Sequence, residues 1–177
     1  MILRPAARTD LDAIRALIAA SMRGLSAGFY TSAQVESGLR HVYGPDTQLI
    51  DDGTYSVIED AGAVVAAAGW SRRATLYGGD QAKVGPDPLL DPSRDPARVR
   101  AFYVAPSHAR RGLGRRLLAH CAAAAAAEGF TSLELMATLP GVPLYAACGF
   151  NALERIEAVQ PDGVAIPFVR MRRAVRG

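Results

Sequence analysis

The segment from Phe102 to Leu118 constrains this chain more than any other: Phe-Tyr-Val-Ala-Pro-Ser-His-Ala-Arg-Arg-Gly-Leu-Gly-Arg-Arg-Leu-Leu. A β-rich run, Arg98 to Val104, stops at Ala105-Pro106. Beyond the glycines, Gly112 to Glu128 repeats Leu113, Leu117, Cys121 and Ala124 or Ala125 at helical spacing, with Gly129 as C-cap. Strand, glycine loop and helix together make an anion cradle. The first turn of a helix presents free N–H groups and the positive end of the macrodipole. Gly112 and Gly114 carry no Cβ to keep a phosphate away. Arg110, Arg111 and Arg115 add charge and donors, so a pyrophosphate suits the site. A flexible helix start with a solvated arginine face is the competing reading. The segment is not a Walker loop, since Gly-Lys-Ser/Thr is absent, and it lacks the third glycine of a dinucleotide fingerprint.

The rest of the chain alternates strand and helix signals. Met1 to Arg4 reads as a strand ended by Pro5. With Thr9 as cap, Leu11, Ile14, Leu17, Ile18 and Met22 form a helical stripe, and Ser32 opens a second helix running to Tyr43. Thr54–Glu59 and Ala63–Trp70 make a hairpin about Asp60-Ala61-Gly62. Gly78 to Pro96 is rich in glycine, proline and aspartate, and reads as an excursion over about residues 75–97. Ser132–Met136 is a buried strand, Pro143–Ala147 a short helix begun by proline, and Asn151–Val159 and Ile166–Arg173 are two further strands. The order β-α-α-β-β-β-α-β-α-β-β predicts an α/β fold: one domain over residues 1–177, a mixed sheet with helices on both faces.

A second segment, Pro143-Leu-Tyr145-Ala-Ala-Cys-Gly149-Phe150, follows the glycines by about thirty residues with one strand between. Alone, Tyr145 reads as a core aromatic before a helix stop. Together, in this order and spacing, the two segments resemble the GNAT superfamily of acyltransferases: Gln/Arg-x-x-Gly-x-Gly/Ala opening a long helix, then a strand, then Tyr-x-x-x-Gly-Phe. The resemblance extends over the whole chain. It departs at Ala109, which stands at the Gln/Arg position and removes one side-chain contact. It implies acetyl-CoA as cosubstrate. The strand backbone of Phe102, Tyr103 and Val104 would take the pantetheine arm, inserted between this strand and the splayed Ser132–Met136 strand. Residues Arg110, Arg111, Gly112, Leu113, Gly114 and Arg115 would hold the pyrophosphate, and Tyr145 would point its hydroxyl at the thioester sulfur.

Amine attack on a thioester requires loss of an amine proton, stabilisation of the carbonyl oxygen and neutralisation of the leaving thiolate. An alkylamine, with a pKa of about 10.4, is mostly protonated at neutral pH, so a base or a water chain is needed. Glu134 is the best-placed carboxylate, on the strand facing the arm; a paired structural role is the alternative. His108, His41 and His120 read as solvated. Tyr30, Tyr55 and Trp70 either line an acceptor pocket or pack. Direct transfer in a ternary complex, usual in the family, leaves Cys148 without a nucleophilic role, and Cys148 and Cys121 read as small buried fillers.

Half of the 177 residues are hydrophobic and the formal net charge is only +3, which suits a globular protein rather than a nucleic-acid binder. The arginines at 110–116 and 170–173 are local clusters, for an anionic ligand or for solvent. No apolar run approaches the roughly 20 residues of a membrane span, no Cys/His spacing suggests a metal, and a cytoplasmic setting is expected. The reading is thus an N-acetyltransferase acting on the primary amine of a small molecule, with a homodimer compatible. A protein N-terminus or lysine acetyltransferase and a non-catalytic acetyl-CoA sensor are the alternatives.

Overall fold

The computed structural model describes residues 1–175; the final two residues of the expected domain lie outside them. Seven strands, β1 (Ile2–Pro5), β2 (Tyr55–Asp60), β3 (Ala63–Ser71), β4 (Ala97–Val104), β5 (Ser132–Thr138), β6 (Asn151–Val159) and β7 (Ala165–Ala174), form one sheet. Its order is β1-β2-β3-β4-β5-β7-β6. Helices α1 (Leu11–Leu25), α2 (Ser32–His41) and α3 (Thr47–Asp51) are joined in chain order by α4 (Leu113–Ala127) and α5 (Val142–Ala147). The predicted mixed sheet with helices on both faces is what the chain forms. One core packs Leu113, Leu117, Leu118, Cys121 and Ala125 of α4 on Ala66, Ala68, Val99 and Leu133. The other packs Ile14, Leu17, Ile18 and Met22 of α1 on Val57, Ala67, Ile166 and Phe168.

Local chemistry moves two predicted boundaries. Thr31, not Ser32, caps α2: its hydroxyl accepts from Gln34 N at 3.1 Å and the Gln34 side chain returns the bond, a capping box. Asp10, not Thr9, precedes α1; its carboxylate accepts from Ala7 N at 2.8 Å and from both terminal nitrogens of Arg4. Helix α3 had no signal, because its five residues are too few to show periodicity. The excursion before β4 is pinned rather than free. Gly79 N donates to Val42 O, Thr47 N to Asp80, Leu90 N to Arg72 O and Ala74 N to Pro88 O, and Leu90 packs on the α4 core.

The sheet holds its site open at one seam. β4 and β5 run parallel and pair only at Ala97↔Leu133 and Arg98↔Glu134; beyond these rungs the strands part. A bulge helps to part them. Between its pairings to Ala67 and Gly69, β4 carries one extra residue, and Ala101 takes φ 50°, a left-handed conformation costing an alanine about 1–2 kcal/mol. Tyr55 donates to the Ala101 carbonyl at 3.1 Å and braces the bulge.

At the closed end of the seam lies Glu134, 3% exposed. It accepts from Arg98 Nη1 at 3.0 Å, from Arg172 Nε at 2.8 Å and from Arg170 Nη1 at 3.5 Å. The basic cluster near the C-terminus therefore serves this internal network, with Arg170 also on Glu154 and Arg173 stacked 5.2 Å over the Phe150 ring. One carboxylate ties β4, β5 and β7. Removing one partner of such a buried network strands the others at a cost of about 3–5 kcal/mol. Glu134→Ala should lower unfolding stability by that order in urea titration, whereas a solvated side chain would change it by less than about 0.5 kcal/mol.

Candidate functional site

The open end of the seam forms a cleft of about 650 Å³. Its walls come from β4 (Phe102, Tyr103, Val104), the loop and first turn of α4 (Ala109, Arg110, Gly112, Leu113, Gly114, Arg115), α5 (Leu144, Tyr145) and α1 (Ser21, Met22, Leu25). Of the eleven residues expected at the site, the structure brings nine together here. Arg111 is exposed and outside the lining, and Glu134 lies at the opposite, closed end of the seam, neutralised by arginines. Glu134 is thus not positioned to reach a guest in the cleft.

The helix start has the expected form with one difference between its glycines. Arg110 and Gly112 adopt φ 64° and 81°, and such reversals turn successive N–H groups toward one concavity. Gly112 is the residue before α4; a Cβ there would meet nothing within 4 Å, so open space lies over it where a phosphate would sit. Arg116 N bonds Gly112 O at 3.0 Å. The N–H groups of the preceding first turn have no intrahelical acceptor. Gly114 serves packing instead: a Cβ there would approach Leu144 Cδ2 at 2.8 Å. The cradle fits a pyrophosphate, and the unpaired edge of β4 beside it offers N–H and C=O groups to an extended amide arm.

Tyr145 stands where the two ends of the cleft meet. Its ring packs edge-on against Phe102, centroids 5.7 Å apart, and against Phe150 at 5.8 Å. Burial raises its hydroxyl pKa well above the usual value near 10, so the phenol keeps its proton at any physiological pH. Cys121 is sealed in the core, its thiol pushed up to about 12 by burial; Cys148 is only half-buried. Tyr30, Tyr55 and Trp70 are packing residues: Tyr30 donates to Pro167 O at 2.6 Å, and Trp70 meets Phe130 edge-on at 6.0 Å. His108, expected in solvent, is half-buried and 3.1 Å from Asp60; exposed His120 bonds Ser56.

Among the described residues no aspartate or glutamate lines the cleft, and no helix is long and apolar enough to cross a membrane. Sequence reasoning missed the α1 contribution and two groups behind the seam, Tyr43 and Arg100. Arg100 had a visible signal, a charge in the middle of a strand otherwise built to be buried.

The sequence model of the acetyltransferase (GNAT) family matches residues 20–150. Among solved structures the chain is similar to a GCN5-related N-acetyltransferase from Rhodopseudomonas palustris, with TM-score 0.69, 20% identity and coverage of 98% of this chain and 94% of that one. It is similar to the PaiA N-acetyltransferase of Thermoplasma acidophilum in complex with coenzyme A, TM-score 0.65 at 13% identity over 98% of both chains. It is also similar to the ribosomal-protein-S18-alanine N-acetyltransferase of Escherichia coli, TM-score 0.59 at 18% identity, covering 99% of this chain and 94% of that one. No curated protein sequence matches it. With a family match across most of its length, and the fold that goes with it, the chain belongs to the GNAT acetyltransferase family.

Proposed function

We propose that this enzyme transfers the acetyl group of acetyl-CoA, the donor of its family, to the primary amine of a small molecule by direct attack in a ternary complex. The observation that carries the small-molecule reading is the far side of the seam. There the space narrows to a cavity of about 70 Å³ walled by Tyr43, Tyr77 and Phe168. The pinned excursion supplies Tyr77 to that wall. A cavity of that size suits a group of a small amine better than a folded protein surface. The S18-alanine enzyme named above acetylates a protein, so the alternative is set against a neighbour of the same fold.

In the reaction the acceptor nitrogen bonds to the acetyl carbon while the carbon–sulfur bond breaks. The sulfur leaves with the proton of Tyr145, the nitrogen loses one to solvent, and Tyr145 regains a proton from solvent before the next turnover. The first turn of α4 and Arg110 and Arg115 bind the pyrophosphate, and the β4 edge at Phe102–Val104 orients the arm. With no carboxylate lining the cleft, and with the histidine that does, His108, engaged by Asp60 at 3.1 Å, ordered water carries the amine proton away. A panel of amines, with release of free CoA thiol as the readout, tests the transferase reading: turnover with at least one small amine is expected, and none with any amine or peptide would leave only a sensor.

Three further outcomes follow. Gly112→Glu places a charge in the open space over the cradle. Calorimetry should show CoA affinity lost in a folded protein, and unchanged affinity would remove the cradle assignment. Tyr145→Phe keeps the ring contacts but not the proton, so kcat should fall by roughly 10²–10⁴, with CoA binding intact; a value within twofold of wild type would end the general-acid role. The pH profile follows from the same groups. Because burial raises the Tyr145 pKa, no falling limb should appear below about pH 10. With water as proton carrier, kcat/KM should rise toward the amine pKa of whichever acceptor is used. A limb fixed across acceptors of different pKa would mean an enzyme base.

A further inference from the structure

The small cavity behind the seam adjoins the large cleft and shares Phe102, Tyr103, Thr138 and Tyr145 with it. Its remaining walls hold two buried hydrogen-bond donors without a well-formed bond. The hydroxyl of Tyr43, a residue 5% exposed, lies beside that of Tyr30 without good hydrogen-bond geometry, and Nε of Arg100, a residue 4% exposed, has no partner. A buried polar group left unpaired costs about 1–3 kcal/mol, and native structures keep few of them. Of the acceptors nearby, Gly78 O and the Tyr30 hydroxyl are engaged, and Asp46 Oδ2 is itself without a hydrogen bond. Gly78 O takes the Arg100 Nη2 proton. The Tyr30 hydroxyl donates to Pro167 O and accepts from Leu139 N at 3.0 Å. Asp46, fully buried, accepts from Lys83 and meets Arg100 Nη2 at 2.8 Å as an ion pair whose angle is not that of a hydrogen bond.

The charge arrangement agrees with these donors. Asp46 alone faces both Lys83 and Arg100; the next carboxylate, Asp80, is 3.8 Å from Lys83 and itself largely exposed. Asp80 meets only Lys83, near the surface, so Arg100 shares its one buried carboxylate with Lys83 in a low-dielectric setting, where an added anion is attracted. Among the described residues no aspartate or glutamate lines either cavity, so neither offers a carboxylate to a cationic guest. Tyr77 and Phe168, ring centroids 5.5 Å apart, wall the pocket with aromatic surface and limit water. A volume of about 70 Å³ far exceeds the roughly 10–15 Å³ that one water needs, and admits a carboxylate.

We propose that this cavity binds the carboxylate of the acceptor, so that the amine acetylated belongs to a small amino acid. The carboxylate accepts from Arg100 Nε and the Tyr43 hydroxyl on one side of the seam, and the amine is presented toward Tyr145 across it. Arg100 and Tyr43 are then specificity residues for the transfer. The inference rests on the transferase reading above.

The test compares amines that differ only in the acidic group: small L-amino acids and β-alanine, each against its own carboxamide, with acetyl-CoA and thiol release as the readout. Loss of a charged hydrogen-bonding partner is worth about 10- to 100-fold, so wild type should favour the carboxylate by that factor in kcat/KM, chiefly through KM. Tyr43→Phe, which deletes only a hydroxyl without a well-formed bond and should fold, is expected to shrink that ratio about tenfold. Arg100→Lys, which keeps a charge for Asp46, should shrink it further; if it fails to fold, the Tyr43 variant decides alone. Equal or better use of the carboxamides, or a ratio unmoved by Tyr43→Phe, overturns the carboxylate site while the transferase stands. No turnover with any member of the panel, acidic or neutral, overturns both.

Discussion

Everything at the site depends on the β4–β5 ladder ending after two rungs. A parallel pair that stays closed along its length leaves no free strand edge and no space between layers. Here Glu134 and three arginines hold one end shut while the Ala101 bulge, braced by Tyr55, turns the other end aside. The same opening exposes the β4 edge, sets α5 and Tyr145 against Phe102, and leaves room on both sides of the sheet. Stability and function are thus built from one seam: the buried charge cluster holds what the bulge, at a conformational cost, parts.

Two sites of opposite character meet at Tyr145. On the proposed reading the α4 side is mainly a backbone cradle, in which N–H groups at a helix start and a left-handed glycine would receive the pyrophosphate and Arg110 and Arg115 would add charge. The proposed acceptor site behind the seam would rely on side chains, Tyr43 and Arg100, both buried. A donor shared across a family calls for the first kind of site, and an acceptor that differs between members calls for the second.

The legible parts of the fold were those with local signals. The α4 stripe and the strand alternation follow from spacing, the short helix from its proline start, and the cradle from strand, glycines and helix being contiguous in sequence; the role of Tyr145 came only from the family resemblance. What could not be read was non-local. Glu134 was the best-placed carboxylate by position along its strand, but its role depends on Arg98, Arg170 and Arg172 arriving from two other strands. Gly114 looked like a second phosphate glycine, yet its missing Cβ makes room for Leu144, thirty residues on. Tyr43 and Arg100 come together only through the sheet and the pinned excursion, and no periodicity announces that.

The central claim, that the seam is where the donor enters, is tested most directly by hydrogen exchange with and without acetyl-CoA. The account predicts slowed exchange at two places: the amides of residues 109–115 before and within the first turn of α4, and those of β4 from Phe102 to Val104. Edge strand β6 should be unaffected. Protection confined to other elements, or none at saturating acetyl-CoA, would contradict it.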